Sequence, residues 1–259
     1  MKSAALILSN LAIGYTDGGS KHQIVDVINS RLYSGELVSL VGLNGAGKST
    51  LLRTISAFQP ALSGEIEYCG ANSRVEDASQ LARHLAIVLT GREPIYNLSV
   101  SEVVAMGRMP YTGFFGLNAG RDKRAVDEAM QLLGISRLAH RMIETLSDGE
   151  RQKVMIAKAV AQETPIILLD EPTAFLDFAS RVALMQSLRS LAHKRGKAIL
   201  LSTHDLELAL RLSDRLWLMD KKHMYAGTVE ELSCSGALSS FIDNDGIRYD
   251  AHEHKIVIF

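Results

Sequence analysis

Apolar and polar positions follow two different periods along this chain, and the change between them divides it. Ala4 to Leu11 and Ile24 to Tyr33 read as strands separated by a loop containing Gly18-Gly19, and Leu37 to Val41 is a nearly continuous apolar run that ends at Gly42. Such a run predicts a buried core strand. Directly beyond the next glycines, Leu51, Leu52 and Ile55 recur at helical spacing, so a strand passes into a helix there. Gly64 to Tyr68 and Leu85 to Leu89 are further short strand candidates. From Ser99 the period lengthens. Ser99 and Glu102 form a capping-box pattern opening a helix towards Gly107, and Val126, Ala129, Met130 and Leu133 make one face of another, stopped by Gly134. Residues from about 95 to 162 are therefore expected to be mostly helical. Alternation then returns: strand Ile166 to Leu169, helix Ser180 to Lys194, strand Ala198 to Leu201, helix Leu206 to Leu212, strand Leu216 to Met219.

Strands alternating with helices imply an α/β fold with a mainly parallel sheet covered on both faces. The helical block interrupts this order, so it reads as an insertion. The expected organisation is one domain over residues 1–232 carrying a helical sub-domain at about 95–162, followed by a short extension, 233–259. In that extension Asp245-Gly246 precedes Ile247 to Tyr249 and Lys255 to Phe259, a terminal hairpin packed on the core. His252 and His254 alternate with acidic residues there and read as a solvated turn rather than a metal site.

Composition narrows the partners. The chain has 259 residues, 47% apolar, and a formal net charge of −1, so no charge excess points to nucleic acid or an anionic membrane. Cys69 and Cys234 lack metal-ligand spacing, and a disulfide is not expected; they read as buried or idle thiols in a reducing compartment. No run approaches the roughly 18 apolar residues of a membrane span. A cytoplasmic protein is expected, and any work at a membrane needs a partner that spans it.

The chemistry lies in a few short strings. Gly42-Leu43-Asn44-Gly45-Ala46-Gly47-Lys48-Ser49, continued by Thr50, is a complete P-loop at the strand-to-helix junction that the motif requires. Its glycines let successive backbone N–H groups face phosphate oxygens, and the helix N-terminus adds partial positive charge. Lys48 is placed to reach the terminal phosphates of ATP, and Ser49 to ligate Mg2+ through its hydroxyl. Ile166-Ile167-Leu168-Leu169-Asp170-Glu171 is a buried strand delivering two carboxylates at its carboxyl end. Alternation sends them different ways: Asp170 suits the magnesium shell, and Glu171 suits polarising the water that attacks the γ-phosphate. His204 follows the next apolar strand on the same side and is a candidate γ-phosphate contact.

The order of the P-loop, Leu146-Ser147-Asp148-Gly149-Glu150, Asp170-Glu171, Phe175-Leu176-Asp177 and His204 resembles the ATP-binding-cassette ATPases over about residues 4 to 232. The resemblance implies a P-loop NTPase core with an antiparallel strand layer near the N-terminus. It also implies a head-to-tail dimer with a second copy, in which Ser147, Gly149 and Asp177 contact the ATP held by the opposite P-loop. An aromatic in this family stacks on adenine about where Tyr15 stands; read alone, Tyr15 is also an ordinary half-buried residue of a loop after a strand. Gly107-Arg108-Met109-Pro110, Phe114-Phe115-Gly116 and Leu138-Ala139-His140-Arg141 look like the importers of ferric siderophores, haem and cobalamin. Those ATPases work with two polytopic permeases and a substrate-binding protein, which implies a peripheral place on the inner face of the cell membrane. Phe114 and Phe115 offer either a docking surface or closure of the small helical core.

Two positions depart from the family pattern. Where a glutamine usually ends a short strand and contacts the metal and the attacking water, this strand runs into Thr90, whose hydroxyl can ligand a metal but has a shorter reach, so it is expected to act through a water or to move in only on closure. Asp148 stands where glycine is commoner, and a carboxylate beside a γ-phosphate must turn away or meet a cation, with Arg151 in range along the chain. The expected function is the ATP-binding and ATP-hydrolysing subunit of an importer for an iron-siderophore, haem or cobalamin type substrate. The alternative is a soluble cassette ATPase of iron-sulfur cluster assembly, which has a similar size and a different partner.

Overall fold

Residues 3–17, 20–72, 77–91, 95–112, 120–220 and 223–259 are described by the computed structural model. Two long N-terminal strands, β1 (Ala4–Asp17) and β2 (Ser20–Tyr33), pair antiparallel and both outrun the expected limits. The reason is a bulge. Asn10 takes a left-handed φ of 48° and the register shifts between Leu8 and Leu11, so alternation breaks at Ser9-Asn10 although the strand continues. The bulge is pinned by paired amides: Asn10 N donates to Asn29 Oδ1 at 2.8 Å and Asn29 Nδ2 to Asn10 Oδ1 at 3.2 Å. Tyr15 consequently lies within β1, opposite His22, and not in a loop after it.

The rest of the core alternates. In order follow β3 (Leu37–Gly42), α1 (Lys48–Ile55), β4 (Ser63–Tyr68), β5 (Ala71–Asn72), α2 (Ala78–His84) and β6 (Leu85–Val88). The helical block then contributes α3 (Val100–Ala105), α4 (Met109–Thr112), α5 (Arg121–Leu132) and α6 (Asp148–Ala161). After it come β7 (Ile166–Leu169), α7 (Phe178–Arg195), β8 (Ala198–Thr203), α8 (Leu206–Leu212), β9 (Arg215–Met219) and β10 (Met224–Gly227). The chain finishes with α9 (Val229–Cys234), α10 (Ala237–Ile242) and a hairpin of β11 (Ile247–Asp250) and β12 (Lys255–Ile258).

These strands make a four-stranded antiparallel sheet of order β2-β1-β4-β5 and a six-stranded sheet of order β10-β9-β3-β8-β7-β6, parallel except for β10. Helix α1 lies between them: Leu51, Leu52 and Ile55 share one apolar cluster with Ile13, Val25 and Ile28 of the first sheet and Leu40, Leu168 and Leu200 of the second. The opposite face of the parallel sheet packs Leu169, Ile199 and Leu201 against Val154 and Ala157 of α6 and Leu184 and Leu188 of α7. Strands covered on both faces read as unbroken apolar runs, as these do. A third cluster joins Leu216 and Leu218 of β9 to Leu232, Leu238 and Tyr249 near the C-terminus. Cys69 and Cys234 are exposed free thiols, so of the two expected readings, buried or idle, burial does not hold.

Ser99 and Glu102 cap α3 reciprocally, as their spacing predicts. Gly107 lets the following turn lie against α6, since a Cβ there would sit 2.2 Å from the Lys158 carbonyl oxygen. Arg108 is thereby carried inside. Only 2% exposed, its guanidinium donates to Asp122 Oδ1, the Ala161 carbonyl and Glu163 Oε2 at 2.8, 2.7 and 2.8 Å, and lies under the Tyr111 ring. The string Phe114-Phe115-Gly116 lies outside the described residues.

Removing one partner of a buried ion pair strands the other charge, at a cost of about 3 kcal/mol. Asp122→Ala is therefore expected to lower the thermal unfolding midpoint clearly, and Arg108→Met in the same background to restore part of the loss, both read by calorimetry.

Candidate functional site

The carboxyl ends of β3, β8, β7 and β6 lie side by side because those strands are parallel neighbours. Loops leaving such an edge converge, and ligands of open α/β sheets bind there. From β3 the chain turns through residues 43–47 into α1. Gly47 takes φ of 104° with its α-carbon against Ile24, where a Cβ would come within 2.7 Å of Ile24 Cγ2, so only glycine fits. Ala46 N closes the turn on the Leu43 carbonyl at 3.1 Å. Lys48 folds back over the loop, donating to the Gly42 and Leu43 carbonyls at 2.6 and 3.1 Å. Burial pushes its ammonium below the usual lysine range, against the pull of Glu171 and Asp170. Asn44, Gly45, Gly47, Lys48, Ser49 and Thr50 line one groove together with Ile24 and Glu171.

Across β8, Asp170 directly follows β7 and is 1% exposed. Ser202 Oγ donates to Asp170 Oδ1 at 2.7 Å and accepts from the Glu171 N–H at 2.8 Å, while Thr90 Oγ1 donates to Asp170 Oδ2 at 2.6 Å. Both carboxylate oxygens are thus held by hydroxyls, one from β8 and one from the loop just beyond β6. The β7–β8 register explains the first, since Leu169 sits opposite Leu201 and the next pair is Asp170 with Ser202. Glu171 adopts a left-handed φ of 49°, a conformation that costs a non-glycine residue roughly 1–2 kcal/mol. That bend parts the two carboxylates: Asp170 stays in the sheet edge, and Glu171 Oε2 reaches His204 Nε2 at 2.7 Å.

The string 146–150 forms the N-terminus of α6. Ser147 is the exposed cap: its N–H and hydroxyl both bond Glu150 Oε2 at 3.1 Å, and Glu150 N returns to Ser147 Oγ at 3.3 Å. The Ser147 N–H, with its hydroxyl and Arg141 behind it, holds the Glu150 carboxyl below the usual range. Asp148 occupies the first helical position, where the helix N-terminus favours negative charge. It lines a cleft with Thr90, Arg151, Glu171 and Phe175. Gly149 packs so closely on the segment before Asp177 that a Cβ would meet Leu176 Cδ2 at 3.1 Å. Asp177 caps α7, accepting from Ser180 N at 2.7 Å. Tyr15, half exposed, stacks on His22 with ring centroids 5.1 Å apart.

A family profile described as ABC transporter matches residues 25–174, from β2 through the P-loop and the α6 N-terminus to the turn after Glu171. The chain belongs to the ABC transporter family. Among its relatives, an uncharacterised ABC transporter ATP-binding protein of Methanocaldococcus jannaschii is 40% identical over 214 residues, 83% of this chain and 72% of that one. The iron(3+)-hydroxamate import ATP-binding protein of Bacillus subtilis is 37% identical over 209 residues, 81% of this chain and 76% of that protein. A solved dimeric bacterial ABC transporter cassette superposes with a TM-score of 0.76 at 27% identity, covering 86% of this chain and 98% of that one.

As an ATP-hydrolysing ABC cassette, the chain brings Lys48, Ser49 and Glu171 to one groove and ties Asp170, Glu171, Thr90 and His204 together at its edge. Ser147, Asp148 and Gly149 do not line the P-loop groove of their own chain. Two contributors escaped the sequence reading. Ser202 is one, and its signal is a hydroxyl pair, Ser202-Thr203, ending a β8 run that is otherwise apolar and wholly buried. His22 is the other, and only the β1–β2 register pairs it with Tyr15.

Ser202→Ala leaves a buried carboxylate oxygen and the Glu171 N–H unpaired. Turnover is expected to fall about tenfold while nucleotide affinity changes less than about threefold, because the loss touches the reacting edge and not the phosphate cradle. Steady-state ATPase assays alongside fluorescent-nucleotide titration check this, and Thr90→Val is expected to act in the same direction.

Proposed function

We propose that this chain is the energising subunit of an importer for an iron-siderophore, haem or cobalamin type substrate, closing with a second copy head to tail beneath two permeases. One observation carries the dimer: the groove holding Lys48, Ser49 and Glu171 lacks the residues of 146–150, while the capped N-terminus of α6 presents an exposed Ser147. A helix N-terminus suits a phosphate, so each copy completes the other's site through Ser147, Gly149 and Asp177. The relative named for iron(3+)-hydroxamate import and the dimeric cassette support the reading. Neither favours the iron-sulfur assembly alternative. No helix among the described residues is long and apolar enough to cross a membrane, so the permeases and a substrate-binding protein would supply the path, with this chain held on the inner membrane face.

Within a site, backbone N–H groups of the P-loop receive the phosphates. Lys48 exchanges its two loop carbonyls for phosphate oxygens, and the Tyr15–His22 pair offers a flat face to adenine. The donor set fits magnesium: Asp170 and the hydroxyls of Ser49 and Thr90 are all oxygen, and no group of three His, Cys, Asp or Glu capable of a protein-only cage exists among the described residues. Mg2+ when bound neutralises charge on the β- and γ-phosphates. Glu171 orients and polarises the attacking water, and His204, bonded to it, contacts the γ-phosphate. ATP drives closure only to the extent that it binds the closed dimer more tightly than the open one, and hydrolysis releases that preference. The extension 233–259 is read as packed on the domain formed by 1–232, where Leu238 and Tyr249 meet Leu216 and Leu218.

Glu171→Gln is expected to bind ATP without turning it over and to elute as a dimer in gel filtration with ATP; elution as monomer alone would refute the head-to-tail reading. Polytopic membrane proteins copurifying with the tagged chain support import, whereas soluble scaffold proteins support iron-sulfur assembly.

A further inference from the structure

Arg181 spans the gap between the segments that carry Asp177 and His204. It lies one turn along α7 from Asp177, its N–H bonded to the Asp177 carbonyl at 2.9 Å, and its Nη1 reaches Asp205 Oδ2 at 2.8 Å. Asp205 follows His204 directly and is itself held twice. Its N–H donates to Thr203 Oγ1 at 3.0 Å, and its Oδ1 accepts from Leu208 N at 3.1 Å, capping α8. Phe178 lies beside the Arg181 guanidinium, 5.7 Å away. Arg181, His204, Glu171 and Phe175 line a single cleft. The Asp177 carboxyl stays below its usual range, through its bonds from Ser180 first and with Arg181 among the cations around it.

Stability alone does not favour an arginine here. Its Nε is buried without a hydrogen-bond partner among the described residues. A partly buried guanidinium with an unsatisfied donor is commonly matched or bettered by an apolar side chain of similar length. The pair is better accounted for by where it holds things.

We propose that Arg181 is a positioning residue that ties the Asp177 loop to His204 through Asp205, so that both segments seat together when a second copy closes on bound ATP. This rests on the roles proposed above for Asp177 and His204. Breaking the tie leaves the P-loop groove untouched, so ATP still binds, but the two segments reach their closed positions independently. Hydrolysis and the sharpness of closure therefore suffer while affinity does not.

The test uses the full-length chain with Arg181→Met, Arg181→Lys, Asp205→Asn and the Met/Asn double variant, since asparagine keeps the α8 cap. Arg181→Met is expected to lower kcat about tenfold with KM for ATP within about twofold, Arg181→Lys to recover at least about a third of the wild-type rate, and the double variant to be no worse than the poorer single one. In the Glu171→Gln background, Arg181→Met is expected to raise the ATP concentration at which half of the protein elutes as dimer. An unchanged kcat, additive losses, or a fall in unfolding midpoint that lysine does not repair would each overturn the proposal. His204→Ala and Asp177→Ala separate its failure from that of the underlying reading. If these two lower turnover and Arg181→Met does not, only the positioning role is lost; if they leave turnover unchanged, the assigned roles and the tie fall together.

Discussion

A carboxylate that is 1% exposed has to be satisfied from within the sheet, and Asp170 sets that demand at the centre of this protein. An ionised group removed from water is tolerated only with bonded partners, and the two closest come from neighbouring strands, Ser202 on β8 and Thr90 just beyond β6. Ser202 sits level with Asp170, one step past the Leu169–Leu201 pair, and Thr90 reaches in from two residues beyond Val88. A slip of one residue in the β7–β8 pairing would turn the Ser202 hydroxyl to the other face. The parallel register of the central sheet and the chemistry of its edge are therefore a single requirement.

The same serine links that demand to the next residue. By accepting the Glu171 N–H it supports the left-handed turn that swings Glu171 away from Asp170 and onto His204. Strain of this kind persists where the surroundings over-determine it, and here a buried hydroxyl, a fully apolar strand and an adjacent strand end do so. On the phosphate side the constraint is steric. Gly47 is pressed on Ile24 of β2, so the antiparallel layer at the N-terminus helps to shape the cradle as well as to cover α1.

The helical insert obeys a different logic. Its core depends on a buried arginine with two acidic partners and a close glycine contact, an arrangement that fixes the orientation of α6 and hence of Ser147 at its start. Gly149 then rests against the segment leading to Asp177. The α6 N-terminus and the α7 N-terminus thus form one unit, in which Asp148 shares a cleft with Glu171, itself on the groove that holds Lys48.

Local pattern was enough for much of this. The strand-to-helix setting of Gly42 to Ser49, the fully apolar run before Asp170-Glu171, the capping box at Ser99 and the helical block were all legible, because each is written in consecutive residues and depends on backbone geometry or burial period. The apolar pattern stops short of the true ends of β1 and β2 and leaves Tyr15 in a loop, because a bulge held by Asn10 and Asn29 looks like a strand end until the partner strand is known. Helices α2, α9 and α10, of six or seven residues each, carry too little periodicity to announce themselves. By itself the sequence determined the strand-to-helix setting of the P-loop, the buried strand before Asp170-Glu171 and the alternation of the core around a helical block. Only the tertiary structure decided which hydroxyls meet Asp170, which carboxylate meets His204, and that Arg181 joins the Asp177 segment to Asp205, since each of these contacts is made by residues brought together through strand register and helix packing and not by their spacing along the chain.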